Sequence, residues 1–143
     1  MRIQKLFLPF LLTIVVSIAI VTPASACPCG EKKSIADEFA SASLVFVGRV
    51  EYTSEHPLKP GETQVKLYVI QRIKGFEEVF SENVTVYTPK EEEKCSYPFA
   101  GGLDYLVYAS GNPAHLKATS CSRTEFLDKV GAEVKTLSGM KTK

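Results

Sequence analysis

Two cysteines one residue apart, Cys27 and Cys29, stand directly after the small-residue run Ala24-Ser25-Ala26. Thiols at this spacing suit a redox pair, a lipid attachment point or two separate bridges. A disulfide between Cys27 and Cys29 themselves closes a strained ring, and a thioredoxin-like motif needs two intervening residues beside a βαβ pattern. The pattern therefore points to two long-range bridges that reach Cys95 and Cys121, the other two of the four cysteines. Two of the three possible connectivities satisfy that condition, and the spacing leaves both open. On a chain-entropy basis each closed loop is worth roughly 4 kcal/mol. Bridges one residue apart hold the first three residues of a chain that begins at Cys27 almost rigidly.

The preceding residues predict such a start. Arg2 and Lys5 make a basic opening, an apolar run extends from Leu6 to Val21, and Ala24-Ser25-Ala26 closes it. This is the pattern of a secretory signal peptide over residues 1–26, cut after Ala26. Pro9 and the small-residue exit argue against a retained anchor, and no second apolar segment of about 18 residues follows. Lipid anchoring at Cys27 is the alternative export route. It usually takes Leu three positions before the cysteine, where Ala24 stands, and it leaves an odd three cysteines in an oxidising compartment. The expectation is a secreted chain of residues 27–143 whose first residue is a half-cystine with a free α-amino group.

Removing Arg2 and Lys5 from the 17 basic residues leaves 15 against 16 acidic ones, a formal charge of −1. That balance provides no electrostatic pull toward nucleic acid or an anionic membrane, so neither is an expected partner. The 117 residues from Cys27 onward suit one domain, read as a monomer. His56 lies in a proline-flanked loop and His115 at a strand start, without a His/Glu spacing that holds a metal. Both read as ordinary edge residues, and no metal site of the chain's own is expected. Since no Gly-x-Ser-x-Gly turn, phosphate loop or calcium loop occurs, the chain is read as neither an enzyme nor a cofactor protein.

The elements that must position the cysteines are legible in outline. Ser34, with Asp37 three residues on, caps a short helix over 34–42. The β-branched run Leu44 to Thr53 is a strand, and Gly48 inside it suggests a bend or bulge. After a loop with Pro57, Pro60 and Gly61, the stretch Thr63 to Ile73 alternates Val65, Leu67 and Val69 against Lys66, Tyr68 and Ile70. Further strands are predicted over Glu82 to Thr88, Asp104 to Ser110 and His115 to Ser120. The charge run at 90–94 reads as a solvated loop. From Arg123, taken with Ser122 and Thr124 as a helix start, Phe126, Leu127, Val130, Val134 and Leu137 recur at helical spacing. The predicted fold is mainly β, a five-stranded OB-fold-like barrel with a short N-terminal helix and a C-terminal helix. A β-sandwich is the structural alternative.

Taken in order, these residues resemble the inhibitory N-terminal domain of the tissue inhibitors of metalloproteinases, within the wider netrin-like group. The resemblance runs over residues 27–137. It is carried by Cys27-Pro28-Cys29, a helix, Ser43-Leu44-Val45-Phe46-Val47-Gly48-Arg49-Val50, the strand from Tyr68 to Lys74-Gly75, Cys95, Tyr105-Leu106-Val107-Tyr108-Ala109 and Cys121. It implies the same barrel, with Cys27 paired to Cys95 and Cys29 to Cys121. It further implies that Cys27, Pro28 and Cys29 form an inhibitory wedge against a secreted zinc metalloendopeptidase. The α-amino nitrogen and carbonyl oxygen of Cys27 would make a five-membered chelate on the enzyme's zinc and displace its water. An ordinary α-amine, with a pKa of about 7.7–8.0, loses its proton near neutral pH at a cost under about 1 kcal/mol. Position 28 would enter the specificity pocket, and this chain has Pro28 where the animal inhibitors usually carry a small hydroxyl residue. The alternative implication is a non-inhibitory netrin-like module that holds a protein or glycan through its loops.

Overall fold

A computed structural model describes residues 27–77, 81–90 and 95–140. Residues 1–26, read above as a signal peptide, and residues 91–94 of the charge run lie outside the described residues. The elements are α1 (Ile35–Ser41), β1 (Leu44–Glu55), β2 (Glu62–Lys74), β3 (Asn83–Pro89), β4 (Asp104–Asn112), β5 (His115–Lys117), β6 (Glu125–Phe126) and α2 (Leu127–Gly139).

Successive strand side chains point to opposite faces, and in β1 both faces are covered. Leu44 and Phe46 enter a core shared with Val65, Leu67, Val84, Val86 and Val107. Val45 and Val47 face outward into a second core, with Tyr108, Ala42 and Leu137, against which the helices' Phe39 and Val134 pack. That is why residues 44 to 47 are apolar at every position. In β2 one face is solvated, and the alternation is clean: Val65 and Leu67 are buried while Tyr68 and Ile70 are exposed.

The strands run in the order β1-β2-β3-β5-β4, and β4 pairs back onto β1 from Leu44 opposite Ala109 to Arg49 opposite Asp104. This closes a five-stranded barrel of the OB type, antiparallel except for β3 beside β5. Closure removes the sandwich alternative. Gly48 falls at a register shift between β1 and β2, where a Cβ would meet Phe46 Cε2 at 2.7 Å.

Helix α1 is tied down at both ends. Ser34 Oγ accepts the Asp37 N–H at 3.1 Å. At the other end, Lys74 Nζ donates to the carbonyls of Phe39, Ala40 and Ala42 at 2.6, 3.0 and 2.7 Å, taking up acceptors that a helix end leaves unpaired. The residue after Lys74 is Gly75, at φ 81°, where a Cβ would run into the Ser43 carbonyl. Gly75→Ala is therefore expected to destabilise the fold by about 2 kcal/mol or more, as a lower urea midpoint.

Two boundaries differ from the sequence expectation. The final helix begins at Leu127, not near Arg123, because Glu125 and Phe126 pair with Leu106 and Tyr105 as β6. Thr124 Oγ1 meanwhile accepts the Tyr108 N–H at 3.0 Å, so Ser122, Arg123 and Thr124 are not a helix start. The fifth strand stops at Lys117. The chain then turns through Ser122 N–H to the Thr119 carbonyl at 3.0 Å, which lifts Cys121 toward the N-terminal segment.

Candidate functional site

Cys27 is bridged to Cys95 and Cys29 to Cys121, with Cα separations of 4.7 and 5.2 Å. The Sγ atoms of Cys27 and Cys121 also approach to 3.0 Å, so the two bridges touch. All four cysteines are bridged, which leaves no thiolate to act as a metal ligand.

Each anchor is held by the barrel. Cys95 sits at φ 71°, a left-handed conformation that non-glycine residues rarely adopt. Its carbonyl accepts the Ser120 N–H at 3.1 Å, joining the two anchoring segments directly. Beyond Cys95 the chain packs against the barrel core through the half-buried rings of Tyr97 and Phe99. Tyr97 N–H donates to Thr88 Oγ1 at 2.8 Å, and the rings of Tyr97 and Phe99 pack on Tyr105 at 5.9 and 5.1 Å.

The exposed end of the site is the turn Cys27-Pro28-Cys29. Cys29 N–H donates to the Cys27 carbonyl at 2.7 Å, across a three-residue turn whose central φ is fixed by the proline ring. Pro28 and Cys29 are exposed and Cys27 is half-buried. A carbonyl oxygen has two lone pairs, so one remains on Cys27. Beside the turn lies an open concavity of about 330 Å³, lined by Cys29, Gly30, Lys33, Lys117 and Cys121 among others.

Behind Cys121, Arg123 joins four parts of the molecule. Its Nε and Nη2 donate to Glu133 of α2 at 3.0 and 2.7 Å, and Nη1 donates to the Lys33 carbonyl of the N-terminal segment at 3.0 Å. The Tyr108 hydroxyl of β4 donates to the same carboxylate at 2.6 Å. Burial works to raise the Glu133 pKa, but the hydrogen bonds from Arg123 and Tyr108, with the charges of Arg123 and Lys32, outweigh it and hold the group below the ordinary range. A depressed carboxylate stabilises the fold above its unfolded value of about 4.3, and that contribution is lost as pH falls through the folded value. Arg123→Met, which strands a side chain only 9% exposed, is expected to cost about 3 kcal/mol at pH 7. The difference from the parent should shrink below about pH 4, as read from urea denaturation across pH.

Spacing along the chain sets His56 and His115 apart as unrelated edge residues. The barrel instead brings them together against Tyr87, whose ring lies 5.0 Å from His56 and stacks on His115 at 4.3 Å, the two imidazoles standing 6.2 Å apart edge to face with Glu62 beside them. No local signal carries this, because β3 and β5 become neighbours only when the barrel closes.

The molecule is thus an OB-type barrel whose exposed Cys-Pro-Cys turn is fastened by two touching disulfides. Comparison with protein-family models and with curated proteins returns no match to the chain. Two disulfides fit an exported protein, and among the described residues no helix is long and apolar enough to cross a membrane.

Proposed function

We propose that the protein is a secreted inhibitor of zinc metalloendopeptidases, similar to the tissue inhibitors of metalloproteinases, with Cys27, Pro28 and Cys29 as the wedge. The observation that carries this reading is the double fastening of an exposed Cys-Pro-Cys turn at whose head the half-buried Cys27 keeps a free lone pair on its carbonyl. Cleavage after Ala26 supplies the second donor, the α-amine. Together they replace the water at the open position of the partner's zinc. Because the bridges and the proline turn order the chelating residue in advance, little conformational entropy is lost on docking. The zinc belongs to the enzyme, and no catalytic residue is assigned to this chain.

The Cys27–Cys95 bridge occupies the thiol that lipid attachment requires, which supports release over anchoring. The test is direct. Mature protein, verified by N-terminal sequencing and intact mass to begin at Cys27 with both bridges closed, is titrated against a panel of zinc endopeptidases at micromolar concentration. Competitive inhibition of at least one is the expected result. Silence across the panel overturns the proposal in favour of a non-inhibitory netrin-like binding module.

A further inference from the structure

His56 opens the β1–β2 connection and Glu62 begins β2, the two pinned to each other by the His56 N–H donating to the Glu62 carbonyl at 2.9 Å. Strand β5, lying beside β3, brings His115 against them over the Tyr87 ring. Each of the three offers one ligand atom, and these atoms lie within 4.8 Å of one another.

The geometry between Glu62 and His115 is specific. Glu62 Oε2 and His115 Nε2 stand 3.3 Å apart, both sealed from solvent, facing each other as an ion pair without a well-aligned hydrogen bond to any group. Buried polar atoms left so are costly, by about 1–3 kcal/mol each, and in folded proteins they ordinarily have a partner. Two donors on one tetrahedral ion, each about 2.1 Å from it, are separated by about 3.4 Å. The spacing of this ion pair also matches that of two ligands of a shared ion.

The other carboxylate oxygen, Oε1, stays 3.2 Å from Lys117 Nζ, which orients the group from outside the ligand set.

His56 is poised differently. Its Nδ1 accepts the N–H groups of Leu58 and Lys59, each at 3.0 Å, which leaves the ring proton on Nε2. Ligation through either nitrogen therefore breaks those two bonds and rearranges the turn after His56. Entry of the ion is coupled to that turn.

We propose that His56, Glu62 and His115 form a divalent transition-metal site of the zinc class, with Glu62 and His115 as preset ligands and His56 recruited on binding. Two imidazoles with one carboxylate favour zinc-like ions over magnesium or calcium. Three protein ligands leave a fourth position open, and the ion clips the β1–β2 turn to β5. This site is distinct from the Cys27 chelate, whose zinc belongs to another protein.

The test is calorimetric titration of the doubly bridged protein with Zn²⁺, followed by ¹H–¹⁵N imidazole spectra. One equivalent should bind, with the imidazole nitrogen signals of both histidines shifted. Glu62→Gln and His115→Ala should each weaken binding about tenfold or more. His115→Phe, which keeps a ring over Tyr87 and removes the ligand, stands in if the alanine variant misfolds. Acetylating the Cys27 amine should leave the affinity unchanged. Absence of binding at millimolar Zn²⁺, unchanged binding in His115→Phe, loss of binding on acetylation, or equal affinity for Mg²⁺ would each overturn the proposal.

Discussion

Adding one alanine before Cys27 is expected to weaken protease inhibition by about 100-fold or more, equivalent to about 2.7 kcal/mol, while leaving the melting temperature unchanged. The extension converts the α-amine into a peptide N–H, which has no lone pair to give, so the enzyme's zinc keeps its water. Nothing in the barrel senses the change, because Cys27 is held through its side chain by Cys95 and its carbonyl by the Cys29 N–H. Inhibition constants for the mature, extended and N-acetylated forms, each with its melting curve, decide the matter. An extended form as potent as the mature one would sink the chelate mechanism. The neutral amine is the binding form, so inhibition by the mature protein should also strengthen as pH rises toward about 8.

Removing the Cys29–Cys121 bridge is expected to cost up to about 4 kcal/mol on the chain-entropy account, and roughly 15 °C or more of melting temperature for a domain of this size. Both cysteines must be changed, as Cys29→Ser with Cys121→Ser. A lone Cys121 thiol would lie 3.0 Å from the Cys27 sulfur and attack the remaining bridge. Inhibition should fall by about tenfold, since the amine and the Cys27–Cys95 bridge persist but the turn loses one of its two fastenings. A melting temperature within about 2 °C of the parent would show that the barrel alone orders the N-terminal segment.

These two effects rest on features that differ in how they could be read. The cysteine positions and the small-residue run before them are local, so the double fastening of residues 27 to 29 was visible in one dimension. The pairing was not, because spacing allows two connectivities. Only the closed barrel places Cys95 within 4.7 Å of Cys27 and Cys121 within 5.2 Å of Cys29, measured between Cα atoms.

Along the chain, the run at Leu44 to Val47, the alternation at Val65 to Ile70 and the Ser34 cap determined strands and helix near their observed places. Each is a short-range consequence of side chains meeting one face or two. Tertiary structure decided what depends on partners distant in sequence. Edge pairing with Leu106 and Tyr105 drew Glu125 and Phe126 out of the expected helix. Arg123 and Tyr108 converged on the Glu133 carboxylate, and Arg123 reached on to the Lys33 carbonyl. His56, Glu62 and His115 met across strands whose adjacency no periodicity encodes. The hydrophobic pattern specifies which face of each strand turns inward, whereas the hydrogen-bond ladder that closes the barrel specifies which polar side chains become neighbours on its rim. The chemistry of this protein is written in the first and assembled by the second.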